Sequence, residues 1–377
     1  MNDYLKLVFI TFAMITIGLG SCTKNNMIPD DMMDPMPPDS SGTIDLEVSI
    51  ENLLTTQIDE IIIPTVMNYQ EKTEILLAAA ELFEVDMNTT NLDFLKASYF
   101  DAYTAYQHIA VHDYFATQNT DLVTTSNLYP VDVDLLESFI ENESYDFNSA
   151  AQLRANGYPA MDYLLYGSDD MLDYFSNNSK RANFLVALTQ ALNEKANFLL
   201  EEWTGSLREN FINNGGVELG SSISVQLNQT IIYFEEHVRE NKIGLPIGRS
   251  GPNDTPFDAD PTIIESYYES LASGDDGFSL SLIRSAVQEM ENIYLGMTST
   301  NENNIGYDDL LIQRDHESID ADIKTQFQEI YNMIDNRSSI VGDESLYDSV
   351  QELISLYKSD LFPVLNIQDA DGSNDGD

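Results

Sequence analysis

Residues 184–207, FLVALTQALNEKANFLLEEWTGSL, show the periodicity that decides the fold class. Apolar side chains recur there every three or four residues, which is the spacing of one face of an α-helix. The pattern predicts a helix of about eight turns that buries this face. The stripe consists of Phe184, Leu188, Leu192, Ala196, Leu199, Trp203 and Leu207.

Similar stripes predict helices along most of the chain, and no run of alternating strands with tight turns separates them. One stripe covers about 223–238, another covers 283–294 and is closed by Gly296, and a third covers 350–361 and ends before Pro363. The predicted fold class is therefore all-α. Further helices are predicted over about 52–84 with a kink at Pro64, 92–115, 133–141, 158–166 and 318–336.

The break at Asn213-Asn214-Gly215-Gly216 predicts a boundary between two helical domains. A long inter-helix loop is predicted from Asn241 to Pro261, and loops of that length are often functional. We therefore expect two four-helix-bundle-like domains followed by a short tail. Their predicted bounds are 45–214 for the N-terminal bundle, 215–368 for the C-terminal bundle and 369–377 for the acidic tail.

The N-terminus is typical of a bacterial lipoprotein. Lys6 precedes an apolar run from Leu7 to Leu19, which is shorter than the ~20 residues of a membrane span. Leu19-Gly-Ser-Cys22 resembles a lipobox, and Cys22 is the only cysteine of the chain. We expect a signal peptide over 1–21, lipidation at Cys22 and a disordered tether over 22–44. The protein is thus predicted to be anchored to a membrane outside the cytoplasm, at the outer membrane.

The charge balance excludes one class of partner. The chain has 64 acidic and 17 basic residues, a formal net charge of −47. A negative field of this size repels phosphate backbones, so we expect no binding to nucleic acid. The same field can attract cations, although dispersed surface acids are also typical of a salty or extracellular setting.

Two histidines share a helix face. His108 and His112 are four residues apart, a spacing that can hold a transition metal. A metallopeptidase of the His-Glu-x-x-His type would need glutamate where Ile109 stands, and no third ligand is evident. A surface or interface role is the alternative for both side chains. No nucleophile elbow and no phosphate-binding loop are present.

Five segments carry a further signal: 103–108, 157–167, 242–248, 261–268 and an acidic terminus at 365–372. Together they resemble the imelysin family, also called the insulin-cleaving membrane protease or peptidase M75-like family. The motifs occur in the family's order, the acidic terminus is typical of Bacteroidetes members, and the resemblance covers nearly the whole mature chain. The resemblance implies two four-helix bundles in a bacterial envelope protein, linked in several members to iron uptake.

The second of these motifs departs from the family. The family has Gly-x-His-x-x-Glu, whereas this chain has Gly157, Pro159 and Asp162 at the three defined positions. Proline can neither bind a metal nor move a proton, so the change argues against metallopeptidase chemistry. The ligand-binding candidates that the resemblance implies are Gly157, Pro159, Asp162, Glu265, Ser266, Tyr268 and His108.

Structural interpretations of the two carboxylates remain open at this point. Asp162 could instead form an interhelical hydrogen bond or an ion pair, for example with Arg154 or Arg249, because buried carboxylates need a partner. Glu265 could simply be a first-turn glutamate, which the helix dipole favours.

The function that the resemblance implies is an envelope lipoprotein that binds a small ligand, iron or another divalent metal in a cleft between the bundles, without catalysis. A metallopeptidase of the M75 type and a scaffold that binds an envelope protein are the alternatives.

Overall fold

The computed structural model describes residues 49–115, 121–249, 260, 263–270, 277–297, 304–342 and 344–370. The predicted signal peptide, Cys22, the tether, residues 250–259 of the predicted loop and residues 371–377 lie outside the described residues. Glu47–Asp377 forms one compact unit. Whether it divides into two bundles at 213–216 stays a prediction.

The described residues contain helices and no strand, which confirms the all-α class. Most long helices begin and end close to the predicted bounds, but the helix predicted over 92–115 ends at Ala110. The α-helices are α1 Ile50–Thr56, α2 Ile63–Val85, α3 Thr89–Ala110, α4 Leu122–Ser126, α5 Val133–Asn142, α6 Gly157–Tyr166, α7 Met171–Ser176, α8 Ser179–Thr204, α9 Ser206–Asn213, α10 Ser222–Tyr233, α11 Leu245–Ile247, α12 Tyr267–Ser270, α13 Phe278–Leu295, α14 Tyr307–Gln313, α15 Glu317–Asp335, α16 Ser345–Leu356 and α17 Phe362–Leu365.

Helix α8 contributes its apolar stripe to the core, as the periodicity predicts. Helix α2 packs against α8 and α3, α3 packs against α13, and α15 packs against α16. The stripe is buried from Phe184 to Trp203, and each large apolar side chain buried in this way stabilises the fold by ~1.5–3 kcal/mol. The predicted eight-turn helix is too long, because α8 ends at Thr204 and Leu207 belongs to α9. Gly205 lies at the break.

Three π-helical segments explain how prolines are accommodated inside long helical stretches. They are Gln57–Ile62, Phe234–Gly244 and Tyr357–Leu361. Each is followed by an α-helix with proline in its first turn, at Pro64, Pro246 and Pro363. Proline lacks an N–H and crowds the carbonyl four residues earlier, and the wider π turn relieves both conflicts locally.

Two more predicted boundaries are wrong. The last stripe was expected to end before Pro363, but the helical stretch continues through it to Leu365. The loop expected from Asn241 begins later, because residues 241–247 remain helical. The predicted stop at Gly296 is confirmed, since this residue caps α13 with φ of 63°.

Candidate functional site

The start of α6 is a constrained point next to α4. Asn156 caps the helix by accepting a hydrogen bond from the Gly157 N–H at 2.7 Å. Gly157 has φ of +69°, and a Cβ built there would lie 2.1 Å from the backbone oxygen of Ser126. Only glycine fits such a close approach. Pro159 follows in the first turn, where a missing N–H is tolerated, and it is buried.

Asp162 lies one turn further along α6 and is fully buried. Its Oδ2 accepts hydrogen bonds from the Ser266 hydroxyl at 3.0 Å and from the Tyr268 backbone N–H at 3.3 Å. The structure thus joins three of the predicted site residues, although they are far apart in sequence.

Of the structural alternatives for Asp162, the hydrogen bond is observed, with Ser266 and Tyr268 as donors, and the ion pairs with Arg154 and Arg249 are wrong. Arg154 donates to the backbone oxygen of Pro130, and Arg249 contacts Glu344 and Asp348 instead. Asp162 is therefore held by neutral donors. Burial raises its pKa to about 7, because the hydrogen bonds from Ser266 and Tyr268 only partly offset the loss of water.

This pKa predicts a pH dependence of stability. The folded protein holds the Asp162 proton more tightly than the unfolded chain, so the stability from this group is present at low pH and is lost as the pH rises through about 7. Asp162→Asn keeps the neutral shape and does not titrate. We expect the stability of wild type relative to this variant to fall by about 2–3 kcal/mol between pH 5 and pH 8, measured by urea unfolding.

The control for this prediction is Asp322→Asn, because Asp322 is exposed on α15. Its stability relative to wild type should be nearly independent of pH over the same range. A flat difference for Asp162→Asn as well would contradict the assignment of a buried, easily protonated carboxyl group.

Glu265 is the centre of a second buried contact, adjacent to the first. Its Oε1 accepts hydrogen bonds from Gln107 at 3.0 Å and Asn127 at 2.6 Å, and it forms an ion pair with Lys242. Both charged side chains are almost completely buried. The Oε2 atom has no hydrogen-bond partner among the described residues. Tyr103 extends the network by donating to Asn127 Oδ1 at 2.6 Å.

The interpretation of Glu265 as a first-turn residue is wrong, because it precedes α12. Ser266 performs the capping, since its hydroxyl accepts a hydrogen bond from the Glu269 N–H at 3.2 Å. Burial lowers the pKa of Lys242, and the adjacent Glu265 carboxylate opposes that shift. Two groups of opposite charge are thus paired in a dry environment, where each depends on the other.

Sequence reasoning missed four residues of this network: Tyr103, Gln107, Asn127 and Lys242. Three of them lie inside segments that resemble the family, since Tyr103 and Gln107 belong to the 103–108 segment and Lys242 begins the 242–248 segment. Their position in those segments was the available signal. Asn127 had none, because it lies in a short connection after α4.

An open pocket lies beside Tyr268. It has a volume of 980 Å³, and its wall includes Tyr268, Tyr166 and Lys96. The two tyrosine rings pack with centroids 4.1 Å apart, and the Lys96 ammonium lies 4.4 Å from the Tyr166 centroid. Asp169 and Asp170 also line the pocket. Tyr268 therefore contacts the buried Asp162 through its backbone and borders solvent-accessible space with its ring.

His108 does not join this site. Its Nδ1 lies 3.0 Å from Glu289 Oε2, and His112 Nε2 lies 2.8 Å from the other oxygen of the same carboxylate. Burial alone would raise the pKa of Glu289, but the hydrogen bonds from the two histidines outweigh it and lower the pKa to about 2. The described residues contain no group of three or more His, Cys, Asp or Glu side chains placed to hold a metal ion.

The structure thus places the predicted site residues in two regions. Gly157, Pro159, Asp162, Glu265, Ser266 and Tyr268 lie together around α6 and the segment that leads into α12. His108 lies with His112 and Glu289 between α3 and α13. The ligand-binding role of these residues stays a prediction.

The sequence profile of the imelysin family, peptidase M75, matches residues 62–355, and the chain belongs to this family. An imelysin-like protein from Psychrobacter arcticum 273-4 has a similar structure, with a TM-score of 0.66 and 15% sequence identity over 86% of this chain and 98% of that one. A Parabacteroides distasonis ATCC 8503 protein, provisionally named an iron-regulated protein A precursor, has a TM-score of 0.66 and 14% identity over 84% and 94%.

These structural likenesses are below 25% identity and establish the fold. No curated protein sequence matches the chain. Within the described residues, no helix combines the length and the apolarity that crossing a bilayer requires.

Proposed function

We propose that this protein is an envelope lipoprotein of the imelysin family that binds a small ligand beside Tyr268 and does not cleave peptides. The observation that carries the proposal is the 980 Å³ pocket whose wall contains Tyr268, the residue whose backbone N–H donates to the buried Asp162. Pockets of this volume accommodate small molecules, and aromatic rings with a few polar groups are typical of their walls.

The chemistry of the motif supports binding over catalysis. A metallopeptidase needs a metal-bound water and a general base, and the motif here offers Pro159 where the family has histidine. The carboxylate of Asp162 is buried and holds Ser266 and the α12 backbone in place. These contacts suit a bracing role, in which Asp162 positions Tyr268 at the edge of the pocket.

A more specific version of the proposal is that the ligand of this pocket contains iron. The Parabacteroides distasonis neighbour is named for iron regulation, and Asp169 and Asp170 could supply oxygen donors within the pocket wall. Hard cations prefer carboxylate oxygens, which Asp169 and Asp170 provide. Because Lys96 is positively charged, the wall fits an iron complex better than a bare iron ion.

Calorimetric titration of the folded unit Glu47–Asp377 tests the proposal. The probes are ferric and ferrous iron, copper, zinc, calcium and haem. We expect saturable binding of at least one iron species, weakened about tenfold or more in Tyr268→Ala, because ring contacts of this kind dominate small binding sites. Lys96→Met should weaken binding of an anionic complex in the same way.

The matched control is Lys72→Met, which removes a lysine of α2 that pairs with Asp101 away from the pocket. It should leave binding unchanged. If no probe binds, the proposal that the ligand is a metal species is wrong. If binding survives both pocket variants, the ligand does not bind in the pocket beside Tyr268. Chelator-sensitive cleavage of a denatured protein substrate, abolished by Asp162→Asn, would instead establish the peptidase alternative.

A further inference from the structure

Lys195 lies at a second pocket, which is separate from the one beside Tyr268. The side chain belongs to α8 and is only 9% exposed, yet it forms part of the wall of a 480 Å³ pocket. The rest of the wall comes from residues 145–148 and from neighbouring positions on α8. None of these residues belongs to the network around Asp162 and Glu265.

The ammonium group of Lys195 has no ion-pair partner among the described residues. It donates to the backbone oxygen of Thr125 at 3.1 Å and lies 3.5 Å from the Ser126 hydroxyl. An ammonium has three N–H donors, and these neutral contacts use two of them. One donor therefore has no acceptor, and the positive charge has no ion-pair partner, among the described residues. Burying a charge without a counter-charge is costly, and the situation is unusual in a chain with 64 acidic residues.

The other side chains of this pocket provide apolar contact. Tyr145, Phe147 and Phe198 are half-buried members of the wall. Tyr145 and Phe147 pack on Phe184 with ring centroids 5.0 and 5.6 Å away, which fixes their orientation. The pocket therefore combines rigid aromatic surface with one buried positive charge.

The acidic residues of the pocket lie at its exposed edge. Asp146 and Glu194 are both exposed, and Glu194 accepts a hydrogen bond from Gln190 at 2.8 Å. Two carboxylates near the opening disfavour ligands with several negative charges. A ligand with a single negative charge is repelled less than one with several charges, and exposed carboxylates farther than about 8 Å from it are largely screened at physiological salt.

We propose that the pocket at Lys195 binds a small monocarboxylate with an aromatic or apolar body. The ligand carboxylate accepts a hydrogen bond from the Lys195 ammonium, and its body packs against Tyr145, Phe147 and Phe198. The ligand supplies a carboxylate in direct contact with the ammonium, which none of the described residues provides, and its apolar part covers the exposed faces of the rings. A charge-assisted hydrogen bond of this kind is among the stronger polar contacts in proteins.

The same arrangement gives the binding a pH dependence. Burial lowers the pKa of Lys195 to about 8, although the Asp121 carboxylate opposes the shift. The charged groups around the ammonium are this Asp121 and, at the edge of the pocket, Asp146 and Glu194. Because the ammonium form is required, binding of a carboxylate should be strongest below pH 8 and weaken as the pH rises above it.

Phenylacetate is a suitable probe, and phenylacetamide is its neutral counterpart of nearly the same shape. Calorimetry on the Glu47–Asp377 unit at pH 7 and physiological salt should show saturable binding of phenylacetate and at least tenfold weaker binding of phenylacetamide. Lys195→Met should remove about tenfold to hundredfold of the phenylacetate affinity. Lys180→Met, on the same helix but in an exposed ion pair, is the matched control.

The comparison of the two probes on wild type needs no variant, so it holds even if Lys195→Met folds poorly. Phe198→Ala offers a further variant that keeps the charge and should weaken both probes alike. Absence of saturable phenylacetate binding, equal binding of the two probes, or full affinity in Lys195→Met would overturn the proposal. Variants at Tyr268 and Lys96 should not alter phenylacetate binding, which separates this site from the proposed function.

Discussion

Replacing Gly157 by alanine is expected to lower the free energy of unfolding by about 4 kcal/mol. Two effects add at this position. An alanine held at φ of +69° costs ~1–2 kcal/mol, because its Cβ crowds the neighbouring peptide. The new Cβ would also lie 2.1 Å from the Ser126 backbone oxygen, and displacing packed backbone costs a further ~1–3 kcal/mol.

Gly220→Ala is the matched control for this prediction. Gly220 is exposed and no atom lies within 4 Å of a Cβ built there. Its substitution should change stability by less than about 1 kcal/mol, with either sign. Urea unfolding of the three proteins measures both differences. Equal stability of the two variants would show that the approach of α6 to α4 does not require a glycine.

The position of Gly157 also matters for the site. The close approach to Ser126 fixes the connection that follows α4, and Asn127 in that connection donates to Glu265. If the Gly157→Ala protein folds, its backbone near Ser126 must shift. We therefore expect weaker contacts at Glu265 in addition to the loss of stability.

Periodicity predicted the helices well because it reports local burial. The stripe of α8, the cap of α13 and the bounds of α5 and α6 depend on residues close together in sequence. The failures concern effects that do not appear in a hydropathy pattern. The helix through Pro363 continues because a π turn precedes it, and such turns depend on packing around the chain.

The site was predictable only as separate segments. The resemblance located Asp162, Ser266 and Glu265. It could not show their contacts, because Ser266 and Asp162 are more than a hundred residues apart in sequence, as are Glu265 and Asn127. Lys242 illustrates the limit, because only its place in a family-like segment distinguishes it from a surface lysine. His108 lies apart from these residues, and the sequence could not show this because its partner Glu289 on α13 is one acidic residue among many.

The buried pair of Lys242 and Glu265 gives the second large prediction. Lys242→Met keeps a side chain of similar length and removes the charge, which leaves the Glu265 carboxylate buried with only the amides of Gln107 and Asn127 as donors. We expect a loss of about 3–5 kcal/mol in the free energy of unfolding, because the Glu265 carboxylate then stays buried without the partner that compensates for its lost hydration.

The double variant Lys242→Met with Glu265→Gln separates this explanation from simple loss of packing. A neutral glutamine needs no counter-charge, so the double variant should recover more than about half of the loss, as measured by a double-mutant cycle in urea. Lys180→Met, which breaks exposed pairs with Glu141 and Glu143, should cost less than about 1 kcal/mol. A double variant no more stable than Lys242→Met alone would mean that the lysine stabilises the fold through its packing, and that Glu265 is accommodated by its amide donors without a counter-charge.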